Sequence, residues 1–530
     1  MSRRPNIYDE GLVLTAAMRV AAGQIPHRDF YANYGPAQFY ILAGLFKVFG
    51  EALLVERLFD LLIKALTVTC VYAITSSYCR RSIAAYTSIV SLLWLVGLNA
   101  WSGSPAIPVS LLNLIGSALI LPVFLRSVSI RRMCAAGAVA GAAALFRYDT
   151  GVALLGVQAC AIAIAIYLRV EGMSNRVRTF AYSFWPYLVG FAVVTLPPAL
   201  YYLSVAPLHP VVYDIILYPR HYYYRSRNLP FPVISLRELD YLGIYLPIVV
   251  AVISLYALMR SRLRARGNDA SSFQVAPEGR RWHGFLVTFG LLLLVMYLKG
   301  FVRVGLFQLY LAIIPSLLLM AVLFQHRSSF PGPVRFTVTC LMSLSLLAAA
   351  WSTLHEVRFL YLRHLSVPER MLSSALRASP EAQTAWCNGT NALTKGFCFL
   401  PEDDRVRTIE FIDSHTTPEQ RLYVGTTKHD RIYANDNLIY FATQRLPATM
   451  WSHFDPGLQN SYGIQTQMIH ELEVNAPPYI VLDSEYDLLR EPNDSAKSTG
   501  VTLLDDYIHN KYQHIKTFGN LSVWQGIHNP

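Results

Sequence analysis

The sequence predicts a mostly α-helical, polytopic membrane bundle, with interfacial helices near its start and a small α/β domain at its end. Composition gives the first indication. Of 530 residues, 53% are hydrophobic and only 15% are charged, whereas soluble proteins carry about 25% charged residues. The apolar residues are also grouped into runs such as 133–168 and 284–304. These runs approach or exceed the roughly 20 residues that a helix needs to cross a bilayer.

The distribution of charge separates the last third of the chain from the rest. Residues 1–354 contain 30 Lys and Arg against 13 Asp and Glu, a net charge of +17, and residues 355–530 contain 15 against 21, a net charge of −6. The basic excess belongs to loops that flank the spans. It does not form a basic stripe with strand-borne aromatics, so we expect no nucleic-acid partner. The acidic last third has no apolar run long enough to span, which predicts a soluble domain.

These observations divide the chain into four predicted parts. Residues 1–50 form an acidic loop with interfacial helices, 51–354 the transmembrane bundle, 355–400 a linker, and 401–530 the soluble α/β domain.

Two short helices are predicted in the first part. Glu10–Gly23 is amphipathic, with Arg19 facing away from the apolar residues. It is too polar to span a membrane, so we place it along the membrane interface. Pro36–Gly50 is a second such helix, rich in aromatic residues.

About ten spans are predicted in the second part. They lie near 54–78, 82–100, 106–125, 133–148, 150–168, 180–204, 241–259, 284–302, 305–325 and 334–354. Clusters of Arg fall in alternate loops, which the positive-inside rule assigns to the cytoplasm. The last span then ends outside, so we expect a multi-pass protein of the plasma (inner) membrane whose C-terminal domain is extracytoplasmic. An even number of spans also leaves Met1 outside, although Arg3 and Arg4 favour the cytoplasm, and we expect a further span upstream of Met1.

The last two parts contain a cysteine pair and an alternation of strands and helices. Cys387 and Cys398 are close in sequence, and an oxidising compartment would allow a disulfide between them; two free thiols are the alternative. Buried strands are predicted at Arg421–Gly425 and Pro478–Asp483, and helices at Gln465–Asn475 and Thr502–Lys511. This alternation predicts a small α/β layer.

Asp9 and Glu10 are the first candidate functional residues. A carboxylate pair at a membrane surface is costly unless it is solvated or functional. Where a lipid headgroup meets water, such a group can act as a general base toward a hydroxyl or an amine. The alternative is a pair at a helix N-terminus that the helix dipole favours.

Basic residues at two outer turns are candidates for phosphate binding. Arg147 lies beside Asp149 between two apolar spans, and a guanidinium can bind a phosphate bidentately. A local Arg–Asp pair is the alternative. Lys299 and Arg303 lie at another outer turn and are also candidate phosphate ligands. The alternative is that their long side chains reach the membrane interface as anchors.

The segment Tyr218–Arg227 is the most unusual in the chain, with four Tyr and three Arg in ten residues. Arg220 and Arg225 are candidates for binding an isoprenoid phosphate. The tyrosine rings are candidates for stacking on a sugar. The alternative is an interfacial belt of tyrosines. The sequence has no Walker loop, HExxH or paired CxxC motif, so we expect no metal, nucleotide or other cofactor.

The first fifty residues resemble the start of the GT-C glycosyltransferases. The motifs that carry this resemblance are Tyr8-Asp9-Glu10-Gly11, Gly23–Phe30, Tyr34-Gly35-Pro36 and Phe46–Gly50. They are most similar to the bacterial protein mannosyltransferases that use dolichyl-phosphate-mannose and to the lipid A aminoarabinose transferases. The resemblance covers about residues 5–354.

This resemblance implies an activity and a set of roles. It implies inverting transfer of a sugar from a polyprenyl-phosphate donor to a glycan, lipid or protein acceptor outside the cytoplasm. Asp9 would be the base, with Glu10 supporting it. Arg147 and Arg303 are the best positional matches for donor-phosphate ligands, joined by the other basic candidates. The candidate supporting residues are Arg28, Asp29, Tyr34 and Asp149.

Two other functions remain as alternatives. A transporter or flippase of lipid-linked sugars predicts inverted repeats and interrupted helices at the membrane midplane, and the sequence shows neither. A non-catalytic scaffold that acts through the soluble domain is the second alternative.

Overall fold

The computed structural model describes residues 4–98, 103–126, 129–234, 238–268, 277–357, 386–387 and 389–527. Two helices precede the bundle, α1 (Asp9–Ala21) and α2 (Ala37–Phe49). The helices that follow are α3 (Leu53–Ser76), α4 (Arg81–Gly97), α5 (Ala106–Ile120), α6 (Ile130–Phe146), α7 (Tyr148–Arg169), α8 (Met173–Val205), α9 (Leu208–Val212), α10 (Tyr224–Arg227), α11 (Leu242–Asn268), α12 (Pro277–Gly300), α13 (Tyr310–Gln325) and α14 (Gly332–Val357).

The long helices coincide with the predicted spans, and the chain is a multi-pass membrane protein. Within the described residues, seven helical stretches are long and apolar enough to cross a membrane. They belong to α3, α5, α7, α8, α11, α12 and α14. Three more predicted spans correspond to α4, α6 and α13, which have 17, 17 and 16 residues.

Small residues bring α6 and α8 together inside the bundle. A Cβ at Gly137 would lie 1.8 Å from the carbonyl oxygen of Tyr187, and a Cβ at Gly190 would lie 1.9 Å from that of Cys134. Only glycine permits this approach. Close backbone packing through small residues is a common way for helices to associate in a bilayer, where the lipid is as apolar as the side chains.

The basic loops gather at one end of the bundle. Arg281, on α12, donates a hydrogen bond to the carbonyl of Ser77, which follows α3, at 2.6 Å. The amide of Arg80 donates to Gln325 at the end of α13, at 3.2 Å. The turn between α6 and α7 and the end of α12 lie at the other end, which also carries the C-terminal domain.

The C-terminal domain is a four-stranded sheet with helices around it. Its helices are α15 (Asp403–His415), α16 (Leu438–Thr443), α17 (Tyr462–Asn475) and α18 (Leu503–Lys511), and its strands are β1 (Tyr423–Thr426), β2 (Tyr479–Asp483), β3 (Tyr512–Phe518) and β4 (Leu521–Gly526). The strand order is β1-β2-β4-β3, with β1 and β2 parallel and the other pairs antiparallel. The predicted α/β layer is confirmed, as is the disulfide between Cys387 and Cys398. Most of the predicted linker, residues 358–385, lies outside the described residues.

The structure corrects the prediction for α1. Every residue from Asp9 to Val20 is buried, because α2 covers one side of the helix and the C-terminal domain another. A Cβ at Gly11 would lie 2.6 Å from the amide nitrogen of Leu438. Arg19, predicted to face away, is 2% exposed and donates to the carbonyls of Thr449 (3.1 Å) and Asp29 (2.7 Å). The sequence periodicity could not show that a domain more than 400 residues away packs on this face.

Candidate functional site

Asp9 is a buried carboxylate at the start of α1. Its side chain is 7% exposed, and its backbone amide donates to Asn6 Oδ1 at 3.1 Å. The carboxylate itself has no hydrogen bond or ion pair in the described part of the chain. Burial raises the pKa of Asp9 from 3.8 to about 6, and the charges of Arg227, Arg147 and Arg303 oppose this rise. Asp9 is therefore an unpaired carboxylate within the electrostatic reach of three guanidinium groups.

The three arginines come from separate parts of the chain. Arg227 is the last residue of α10, Arg147 joins α6 to α7, and Arg303 follows α12. Arg303 Nη1 donates to the carbonyl of Arg227 at 3.2 Å, and Leu229 and Arg303 form an isolated β-bridge. Arg147 and Arg303 were predicted phosphate ligands. Arg227 was not, although it ends the unusual Tyr-rich segment.

Arg147 belongs to a small charged cluster with Asp149 and Lys299. Asp149 Oδ2 lies 3.3 Å from Arg147 Nη2 and 2.8 Å from Lys299 Nζ. The Arg147 guanidinium lies 5.7 Å from the centre of the Tyr34 ring, a cation–π distance. The structure thus brings four predicted site residues together.

A glycine holds Tyr34 near this cluster. The amide of Gly35 donates to the carbonyl of Phe146 at 3.1 Å. A Cβ at Gly35 would lie only 2.1 Å from the carbonyl oxygen of Leu145, so a larger residue would push the loop away. This contact explains why the Tyr34-Gly35-Pro36 motif has glycine at its centre.

The C-terminal domain contributes Asp455, which sequence reasoning missed. Asp455 is 2% exposed, and its Oδ1 accepts a hydrogen bond from Arg227 Nη2 at 2.8 Å. Its Oδ2 accepts from the Tyr31 hydroxyl at 3.2 Å and from Asn33 Nδ2 at 3.0 Å. Asp455 therefore fixes Arg227 and ties the domain to the first loop.

Glu491 is a second contribution from the C-terminal domain. It binds Arg303 bidentately, with Nη1 to Oε2 at 2.8 Å and Nη2 to Oε1 at 2.6 Å. Asn493 Nδ2 donates to Glu491 Oε2 and to the carbonyl of Asn228, both at 2.9 Å. A carboxylate thus occupies the face of Arg303 that a phosphate would use.

His453 and Tyr8 line the same region. The Tyr8 hydroxyl lies 3.3 Å from His453 Nε2 and donates to the carbonyl of Phe454 at 3.2 Å. Burial lowers the pKa of His453 to about 4, so the imidazole is neutral at physiological pH. Its Nδ1 is buried without a hydrogen-bond partner in the described residues.

Glu10 has a different environment from Asp9. It is 0% exposed and forms an ion pair with Arg57 of α3, in which Nη2 donates a hydrogen bond to Oε2 at 2.8 Å and Nε lies 2.5 Å from Oε1. The amide of Asn6 also donates to Oε2 at 2.8 Å. Glu10 therefore joins α1 to α3.

Four predicted site residues are not brought to Asp9. Arg28 pairs with its neighbour Asp29, at 2.7 Å between Nη2 and Oδ2, and Asp29 also accepts from the amide of Ile25 at 2.7 Å. This is a local turn. Arg220 and Arg225 are exposed and form no ion pair within the part of the chain that the structure describes.

Comparison with known proteins identifies the fold. No family model and no curated protein sequence matches the chain. Among solved structures, ArnT from Cupriavidus metallidurans bound to undecaprenyl phosphate matches with a TM-score of 0.53 and 13% identity, over 100% of this chain and 95% of ArnT. Its apo state matches with a TM-score of 0.54 and 13% identity, over 98% and 94% of the two chains.

An archaeal protein shares the fold. The oligosaccharyltransferase AglB from Archaeoglobus fulgidus, in complex with an inhibitory peptide and a dolichol-phosphate, matches with a TM-score of 0.51 and 12% identity, over 91% of this chain and 66% of AglB. ArnT and AglB are both GT-C membrane glycosyltransferases. The resemblance found in the first fifty residues is confirmed at the level of the fold.

Proposed function

We propose that this protein transfers a sugar, with inversion, from a polyprenyl-phosphate donor to an acceptor outside the inner membrane, with Asp9 as the general base. The observation that carries the proposal is the unpaired, buried Asp9 carboxylate within the electrostatic reach of Arg147, Arg227 and Arg303. The shared fold supports the donor class, because ArnT and AglB were solved with undecaprenyl phosphate and a dolichol-phosphate.

The arrangement suits a single displacement. Asp9 takes the proton of the acceptor hydroxyl or amine as that atom bonds to the anomeric carbon. The bond from the anomeric carbon to the phosphate oxygen breaks, and its electron pair leaves with the phosphate. Guanidinium groups fixed beforehand stabilise the charge that develops there. Attack on the face opposite to the leaving phosphate inverts the configuration.

The proposed orientation rests on two observations. The basic loops lie together at the end of the bundle away from Asp9, and cytoplasmic loops retain positive charge. The domain at the Asp9 end contains the Cys387–Cys398 disulfide, and disulfides persist outside the cytoplasm.

A binding and transfer assay tests the proposal. The full chain, purified in detergent, is titrated with undecaprenyl phosphate and monitored by native mass spectrometry. It is then incubated with a panel of undecaprenyl-phosphate-linked sugars and a host envelope extract. We expect saturable binding and release of undecaprenyl phosphate from one donor class. Failure to bind undecaprenyl phosphate would refute the donor assignment.

The pH dependence of transfer follows from the pKa of Asp9. A base must be ionised, so activity is lost as the pH falls through the pKa of about 6. We expect the acid limb of kcat/KM near pH 6, falling about tenfold per pH unit below it. The donor is a phosphodiester, which keeps its charge over this range. A limb near pH 4 would show that the base is an unperturbed carboxylate.

Substituting Glu491 tests whether its carboxylate competes with the donor phosphate. We expect Glu491→Gln to tighten the binding of undecaprenyl phosphate by roughly fivefold to tenfold, because Arg303 loses a charged partner. Asp494→Asn is the matched control, since Asp494 forms an exposed pair with Lys497. Weaker binding by Glu491→Gln would show that Glu491 instead holds Arg303 in place.

A further inference from the structure

A large apolar crevice lies at the end of the bundle away from Asp9. Its volume is about 840 Å³, within the range of ligand sites, roughly 300–1,000 Å³. It is lined by side chains within residues 163–168 of α7, 173–180 of α8, 251–259 of α11 and 283–294 of α12. Arg147 precedes α7 and Lys299 is near the end of α12, so the crevice and the Asp9 site occupy opposite ends of the same helices.

One arginine lines the crevice, and three more are close in sequence to residues that line it. Arg176 lines it, with its guanidinium 4.4 Å from the Tyr167 ring centre. Arg169 follows a lining residue of α7, Arg260 follows one of α11, and Arg280 lies one helical turn before His283, which also lines the crevice.

Three of these arginines have unused donors. Nη1 of Arg169, Nη1 of Arg260 and Nε of Arg280 are buried and have no hydrogen-bond partner in the described residues. Arg169 and Arg280 are also near enough for their charges to repel. Buried, unpaired guanidinium donors are costly, and an anion between them would satisfy both the donors and the charge.

We propose that this crevice binds an anionic phospholipid of the bilayer leaflet opposite Asp9. Its acyl chains lie between α7, α8, α11 and α12, and its phosphate lies among Arg169, Arg176 and Arg280. Basic pockets between membrane helices are known sites for anionic headgroups. The site is separate from the proposed donor site, so the inference does not depend on the glycosyltransferase proposal.

Two kinds of variant test the headgroup and the acyl chains separately. The double variant Arg169→Gln/Arg280→Gln removes two cations, each worth about 1 kcal/mol toward an anionic lipid, or about fivefold in affinity. Gly290→Leu fills the crevice from α12, since no atom lies within 4 Å of the position that its Cβ would occupy. Leucine also favours a helix more than glycine, so this variant should fold.

Native mass spectrometry of the full chain supplies the measurement, with phosphatidylglycerol and phosphatidylcholine of the same acyl chains as probes. We expect the native protein to bind phosphatidylglycerol at least tenfold more tightly than phosphatidylcholine. The double variant should lose roughly 25-fold in affinity for phosphatidylglycerol and little for phosphatidylcholine. Gly290→Leu should weaken the binding of both lipids.

Matched controls complete the design. Arg335→Gln removes an exposed cation of α14, and Gly156→Leu adds a side chain at an exposed, open position of α7 outside the crevice. Both should bind phosphatidylglycerol like the native protein. Equal affinity of the native protein for the two lipids, or native affinity in Gly290→Leu, would overturn the proposal, as would an equal loss in the controls.

Discussion

Asp9→Asn is expected to abolish sugar transfer while the fold is retained. Removing a general base costs about 10²- to 10⁴-fold in rate, measured here as release of undecaprenyl phosphate from the donor. The thermal transition should be unchanged or higher. Burial raises the pKa of Asp9 from 3.8 to about 6, so the ionised carboxylate destabilises the native state at neutral pH, by up to about 3 kcal/mol. Native turnover by Asp9→Asn would show that Asp9 is not the general base.

Glu10→Gln is the control for this experiment. It breaks a buried ion pair with Arg57, and losing one partner of such a pair costs about 3–5 kcal/mol. We therefore expect a clearly lower thermal transition for Glu10→Gln and not for Asp9→Asn. If both variants lost stability equally, the two carboxylates would share a structural role.

Arg147→Gln is expected to have the second largest effect. Arg147 is held by Asp149 at 3.3 Å and lies within the electrostatic reach of Asp9. Loss of one positioned donor to a developing oxyanion costs about 10²- to 10³-fold in kcat. Arg147→Lys should recover part of this loss, because lysine retains the charge and loses the bidentate geometry. The measurement is kcat with saturating donor.

Arg220→Gln serves as the matched control for Arg147→Gln. Arg220 is exposed and has no ion pair in the described residues. Its transfer rate should stay within about threefold of native, as for most surface substitutions away from a site. If Arg220→Gln lost as much transfer rate as Arg147→Gln, the phosphate site would have to be assigned to the Tyr-rich segment instead.

Local patterns in the sequence predicted most of the architecture. The spans, the basic loops at one end and the strands β1 and β2 follow from the length and period of apolar runs, which reflect each element's own surroundings. The β3–β4 hairpin was missed, although Gly519-Asn520, the dipeptide between its strands, is of the type that two-residue hairpin turns favour.

Composition could not distinguish the arginines of the Tyr-rich segment. Arg220, Arg225 and Arg227 lie within eight residues of one another, and only Arg227 is buried. Asp455 makes the difference, because it reaches Arg227 from the C-terminal domain at 2.8 Å. A short cationic segment contains no information about which of its members will meet a distant carboxylate.

The sequence by itself determined the membrane bundle, the acidic motif at its start and the α/β layer at its end, because each depends on neighbours along the chain. Only the tertiary structure decided that Asp9 stays unpaired while Glu10 binds Arg57, and that Asp455 and Glu491 engage Arg227 and Arg303. These last partners are 228 and 188 residues apart. Their pairing depends on how the C-terminal domain docks on the bundle. The periodicity of the sequence around the paired residues does not indicate that docking.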